Sequence, residues 1–316
     1  MIVRPRPSAW QLLFILRGSI VPQIAPQILL AALLGLIVAI GQRYYPVFFP
    51  SLTIVPFSLI GLAFSIFLGF RNSASYERYW EGRKLWGQLI IDTRSLSRQV
   101  LTLMGPMPAA TAASIVEEAA AERQVMVRKL IAFSHALKHH LRGTAAAADL
   151  QNFWPADDLA QLLGRSNIPD AILLSLSADL RKCRDRGWLS DQILRAMDER
   201  LTSLATVLAA CERIRNTPLP FAYTLLLHRT AYLYCFLLPF GLVDTLGLET
   251  PLVVAIVSYT FFGLDALGDE IEEPFGDLPN DLPLDALSRT IEINLRDAMG
   301  ERDLPPPLMP VDFCLM

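Results

Sequence analysis

Two long apolar runs open the chain. From Gly18 to Gln42 no charged residue occurs in 25 positions, and from Tyr44 to Phe70 none occurs in 27. A membrane-spanning helix needs roughly 20 apolar residues, so each run is long enough. A cleaved signal peptide fits the first poorly, because its apolar part is too long and a second run follows at once. Two later runs are shorter, with 14 uncharged residues between Arg229 and Asp244 and 15 between Glu249 and Asp265. Runs of this length span if neighbours shelter their ends. The first extends backward through LPFAYTLLLH, taking His228 and Arg229 into a bundle where ionisable groups face protein or water.

Between the two pairs of runs the pattern changes to the helical period. Apolar residues recur at three and four positions in RYWEGRKLWGQLIIDTRSLSRQVLTLM, again from Ser114 to Leu141, and again from Ile172 to Ile214. Breaks are predicted at Gly105-Pro106 with Pro108, at Gly143, and from Asn167 to Pro169, and re-entry to the apolar part at Pro218 and Pro220. No stretch alternates with period two, no internal repeat is visible, and the Pro-rich chain beyond Glu301 reads as a loose tail. The pattern predicts an all-α membrane protein with four transmembrane helices. Residues 1–70 carry an N-terminal segment and spans one and two, 71–217 a cytoplasmic helical domain, 218–268 spans three and four, and 269–316 a cytoplasmic C-terminal segment.

Composition agrees with this reading. Hydrophobic residues make up 53% of the chain and charged residues 19%, with a mean hydropathy of +0.37. Soluble domains hold about 45–50% apolar and about 25% charged residues. A net charge of −3 speaks against nucleic acid as a partner. Basic residues then orient the spans. Arg4, Arg6 and Arg17 precede span one, and Arg71, Arg78, Arg83 and Lys84 follow span two. Only Arg43 lies between those two spans, and DTLGLET, between spans three and four, has no basic residue. The positive-inside rule puts both termini and the middle of the chain in the cytoplasm.

Catalytic and metal-binding patterns are absent from the sequence. The four cysteines (Cys183, Cys211, Cys235, Cys314) include no CxxC pair, so neither a disulfide framework nor a zinc site is indicated. His135 and His139 would share a helix face, but HALKHH lacks the acid of HExxH. There is no Walker A sequence, GxGxxG or GxSxG. Asp269, Glu270, Glu272 and Glu273 read as a solvated or interface face. No enzyme and no cofactor is expected.

Span two, SLTIVPFSLIGLAFSIFLGFRNSASYERYW, carries the most information. Gly61, Ser65 and Gly69 recur every four residues and form one small-residue stripe, which in lipid lets helices approach closely. Leu62, Ile66 and Phe70 recur one position on, as a bulky apolar stripe about 100° round the helix. Such stripes commonly face a core or lipid. In a symmetric ring of these helices the small stripe would instead sit between neighbours and the bulky one would face the axis, as an apolar constriction that gates by dewetting.

FLGFRNSASYERYWEGRKLWG closely resembles the signature of the bestrophin channels in their bacterial branch, and the resemblance continues through PFAYTLLLHRTAYLYCFLLPFGLV and EEPFGDLPNDLPLDAL. It implies a homopentamer in a bacterial inner membrane, with one central pore for small inorganic ions and four spans per subunit. The neck positions it implies are Leu62, Ile66 and Phe70, the stripe already found by periodicity. A second, cytoplasmic constriction is implied in GWLSDQILRAMDERL, at Gln192 without a gap or at Ile193 with a one-residue slip. The family's acidic run after PFG is diluted here to Asp277, Asp281 and Asp285, separated by apolar residues, so calcium activation and a metal site are not expected. Monovalent cations are expected ahead of chloride, although Arg71 by itself would favour anions. Two other classes compete: a secondary transporter, for which neither a repeat nor a charged centre in span two is present, and a membrane-anchored scaffold without transport.

Overall fold

The structure, a computed structural model, describes residues 1–5, 7–49, 52–106 and 112–316. Arg6 and Pro108 lie outside them. Eleven α-helices account for most of the described chain: α1 Ala9–Phe14, α2 Val21–Tyr44, α3 Ile54–Leu103, α4 Ala113–Arg142, α5 Ala147–Leu150, α6 Ala156–Leu163, α7 Ile168–Asp185, α8 Asp191–Asn216, α9 Phe221–Leu246, α10 Thr250–Glu272 and α11 Leu284–Ala298. No strand occurs among the described residues, where two isolated β-bridges are the only extended pairing.

The boundaries follow local chemistry. Gly143, at φ 68, ends α4 in the left-handed region that favours glycine, and Gly247, at φ 53, ends α9. Asn167 and Ser190 accept from the backbone N–H of Asp170 and Ile193 and so cap α7 and α8. The break expected at Gly105 falls just after Leu103, the last residue of α3.

Two units contain these helices. The apolar unit is Arg4–Trp80 with Pro218–Pro274, and the polar unit is Met1–Val3, Glu81–Thr217 and Phe275–Met316. The divisions fall at 80/81, 217/218 and 274/275, and α3 continues as a single helix of 50 residues where the apolar run ends. Helices are long and apolar enough to cross a membrane at Val21–Tyr44, within Ile54–Leu103, and in Phe221–Glu272, which the turn at Gly247–Glu249 divides into α9 and α10.

In the apolar unit, α2, α3, α9 and α10 share a core of Ile24, Phe64, Leu68, Leu227, Ala231, Cys235, Phe262 and Ala266. Backbones approach closely where side chains are small. A Cβ on Gly35 of α2 would stand 3.2 Å from Cα of Pro251 at the start of α10. In the polar unit, the buried apolar residues include Trp86, Leu89 and Leu96 of α3, Leu130, Phe133 and Leu137 of α4, Ile172 and Leu176 of α7, Leu204 and Cys211 of α8, and Ile291 and Leu295 of α11. Cys183 and Cys211 are buried free thiols that burial pushes up to about 11 and about 12, out of reach of ordinary thiolate chemistry.

The C-terminal segment is not the loose tail its proline content suggests. The backbone N–H groups of Val3 and Leu315 donate to the carbonyls of Phe313 and Met1, each at 2.8 Å, and Ile2 bridges antiparallel to Cys314. Ala286 N–H, in the first turn of α11, donates to the Met316 carbonyl at 2.8 Å. Backbone pairing needs no particular side chains, so composition could not reveal it.

Candidate functional site

Helix α3 of the apolar unit presents two faces. Phe57, Phe64, Leu68, Arg71 and Ser75 are buried and fall at intervals of seven, four, three and four residues. Opposite them, Leu62 is 63%, Ile66 50% and Phe70 63% exposed, continuing a stripe that begins with Val55 and Leu59. The sequence-predicted neck residues therefore lie together on one uncovered apolar face of the single chain.

The small-residue stripe beside them is used unevenly. Gly61 is buried against Tyr234 of α9 in the same chain, where an added Cβ would stand 2.6 Å from the phenol oxygen. Its small size thus serves a helix–helix contact inside the subunit, between α3 and α9. Ser65 is exposed, with its hydroxyl donating to the Gly61 carbonyl at 2.7 Å, and a Cβ on Gly69 would meet no atom within 4 Å.

Arg71 follows the stripe by one residue and points the other way. It is fully buried and donates to the Asp265 carboxylate at 2.7 Å, to the Asp265 carbonyl at 3.2 Å, and to Asp269. Glu272 lies 3.9 Å away and also accepts the Leu219 N–H at 2.9 Å. His228 Nδ1 is 2.8 Å from the second Asp265 oxygen. Gly268 leaves room for this network, because a Cβ there would come 2.4 Å from Asn72 Oδ1. The guanidinium is therefore neutralised inside the bundle, and the expectation that Arg71 favours anions by its own charge fails. Asp269, which stays exposed as a solvated face would be, and the buried Glu272 both answer Arg71. Asp265 was not singled out in the sequence. The signal was present, since 265, 269 and 272 recur at helical spacing on one face of α10.

In the polar unit, Gln192 is exposed at the second residue of α8, and Ile193 is half-buried with its N–H donated to Ser190 Oγ at 3.3 Å. The carboxylates of the diluted acidic run are largely engaged. Asp277 pairs with Arg142 at 3.0 Å, Asp285 pairs with Lys138 at 2.9 Å and Arg142 at 2.5 Å, and buried Asp281 accepts the Leu278 N–H at 2.7 Å. Burial alone would raise the Asp285 carboxyl, but the hydrogen bonds from Lys138 and Arg142 outweigh it and hold the carboxyl below its usual range.

The histidines meet carboxylates. His139 Nε2 is 2.9 Å from Asp149, and His140 Nε2 is 2.8 Å from Glu212. His135 is buried between Asp149 at 3.3 Å and Glu292 at 3.4 Å. Burial opposes its charge, yet the two carboxylates prevail and raise its pKa above the ordinary value. His135 and His139 hold Asp149 far below the usual carboxylate range. Among the described residues no group of three or more histidine, cysteine or acidic side chains has the arrangement of a metal site.

A family model described as "Bacterial/Fungal Bestrophin protein" matches residues 1–297. A protein of Mesorhizobium japonicum named a voltage-dependent anion channel-forming protein is 43% identical over 99% of this chain and 96% of its own length. One of Escherichia coli K12 with the same descriptive name is 42% identical over 98% of both. The crystal structure of a bacterial bestrophin homologue from Klebsiella pneumoniae superposes with a TM-score of 0.81 at 45% identity, over 89% of this chain and 100% of that one. The names of the relatives speak of anions, in conflict with the expected preference for cations.

Proposed function

The chain belongs to the bacterial and fungal bestrophin family, a family of membrane ion channels, and on that footing we propose that it is one subunit of a homopentameric channel whose neck is formed by Leu62, Ile66 and Phe70. The observation that carries the reading is the uncovered stripe of α3. Three bulky apolar side chains, each at least half exposed, lie on a helix whose opposite face is packed. Apolar surface left uncovered by its own chain calls for lipid or another protein surface, and five copies around an axis supply a ring of Leu, Ile and Phe too narrow and too dry to hold water at rest.

Four spans follow in this reading: α2, the first part of α3, α9 and α10, with both termini in the cytoplasm of a bacterial inner membrane. The open space at Gly69 suits close approach of a neighbouring copy. The α8 N-terminus, at Gln192 or Ile193, forms the cytoplasmic aperture. An apolar ring cannot select by fixed charge, and Arg71 is spent on Asp265 and Asp269. The relatives' names point to anions as the conducted species. The carboxylates of Asp277 and Asp285 are held by Lys138 and Arg142, which supports a channel indifferent to micromolar calcium.

Purified protein in planar bilayers tests the proposal. A channel gives discrete unitary currents, and the reversal potential in asymmetric KCl gives the sign of the conducted ion. Slow saturable flux without unitary steps would instead indicate a carrier, and no flux a scaffold.

A further inference from the structure

A cavity of about 330 Å³ lies within the polar unit, between α4, α11, the turn after α5 and the chain beyond α11. That volume suits a small organic molecule. Its wall mixes cationic and anionic side chains, and the two kinds are not equally engaged.

The acids have partners. Asp149 accepts from Lys138 at 2.7 Å and faces His139 Nε2 at 2.9 Å. Glu292 accepts from Arg296 at 3.3 Å. Glu301 accepts from Arg128 at 3.1 Å and from Arg296 at 2.6 Å.

The nitrogen side has capacity left over. His135 is 4% exposed and lines the cavity, and neither ring nitrogen has a hydrogen-bond partner. Asp149 and Glu292 face the ring without bonding geometry, and the ring is stacked on Phe153 with an interplanar angle of 7°. Arg289 has a buried Nε without a hydrogen bond and one long ion pair, 3.4 Å to Glu292. Arg128 spends a single hydrogen bond on Glu301. Buried donors are ordinarily satisfied, so a wall with spare donors and occupied acceptors is complementary to a ligand that brings acceptors.

We propose that this cavity binds the oxyanion group, carboxylate or phosphate, of a small solute. The guanidinium forks of Arg289 and Arg128 match the paired oxygens of such a group. A cationic ligand fits poorly, because Asp149, Glu292 and Glu301 already answer Lys138, His139, Arg128 and Arg296. The site lies within the polar unit and does not depend on the assignment of the neck.

Calorimetric titration of the full-length protein in detergent tests the proposal, with inorganic phosphate and succinate as probes in chloride buffer of matched ionic strength. Saturable binding of either probe is expected, weakened about tenfold or more in Arg289→Gln and unchanged in Arg302→Gln, which alters an exposed arginine outside the cavity. Binding of phosphate alone identifies a site for the free ion or a phosphate ester. Binding of succinate alone identifies a carboxylate site. No saturable binding of either probe at millimolar concentration overturns the proposal, and so does equal binding by wild type and an Arg289→Gln variant that elutes like wild type.

Discussion

The two halves of α3 obey one helical period and present opposite chemistry to their surroundings. From Ile54 to Phe70 the stripe opposite the packed face is Val55, Leu59, Leu62, Ile66 and Phe70. From Glu81 to Leu103 the exposed positions include Arg83, Lys84, Arg94 and Arg98, with Ile91 and the terminal Leu103 as the large apolar ones. Both inward faces bury large apolar residues, Phe57, Phe64 and Leu68 in the first half and Trp86, Leu89, Leu96 and Val100 in the second, which buries Asp92, Thr93 and Ser97 as well. The packed side of a helix therefore reports only that it has a core. The uncovered side reports the medium, which is water for the second half and something other than water for the first.

The apolar stretch of α3 ends at Arg71. Arg71→Ala leaves Asp265 buried without its cation, and removing one member of a buried pair costs about 3–5 kcal/mol. Thermal unfolding in detergent should show a large fall in Tm. A variant as stable as wild type would mean that the network does not hold α3 to α10.

Truncation on the uncovered faces sharpens the contrast. Ile66→Ala and Phe70→Ala should widen the apolar ring, ease wetting and raise conductance or open probability several-fold. Ile91→Ala, which shortens an equally exposed apolar residue of the second half, should leave both within experimental scatter. Equal effects from Ile66→Ala and Ile91→Ala would erase the distinction between the halves.

A smaller effect is expected at α8. Gln192→Ala should alter permeability ratios among ions more than open probability, because an amide ring offers donors and acceptors to a passing ion. Altered ratios in Ile193→Ala, with none in Gln192→Ala, would move the aperture by one residue.

The smallest effect is a pH slope in the polar unit. The pKa of His135 is raised on folding, so its contribution to stability is full below the unfolded value of 6.5 and is lost as pH rises through the higher folded value. Asp149 has the opposite sign, and its contribution is present above 3.8 and is lost as pH falls. The Tm of wild type should therefore decline as pH rises above 6.5, and His135→Gln should flatten that limb. An unchanged slope in the variant would show that the imidazole carries no net charge there.

Much of this architecture could be read from the sequence, for identifiable reasons. The stripe of Leu62, Ile66 and Phe70 repeats every four residues, and repetition is what a linear text displays best. The C-terminus of α4 and the N-terminus of α7 were marked by Gly143, whose lack of a Cβ permits the left-handed turn, and by Asn167, whose side chain caps the helix, and both effects are local. The continuity of α3 was obscured because composition changes near residue 71 while the helical period does not. The pairing of Arg71 with Asp265 joins residues 194 apart in the chain, and no local pattern announces it. The N- and C-terminal segments pair through backbone groups, which every sequence carries.

The most direct test of the central claim is single-channel recording of wild type beside the Ile66→Ala/Phe70→Ala double variant, both purified and reconstituted under the same asymmetric salt. Discrete unitary currents are expected from wild type, and a larger conductance or open probability from the double variant. Unitary currents that are the same in both, from a variant that assembles like wild type, would show that the uncovered face of α3 is not the constriction.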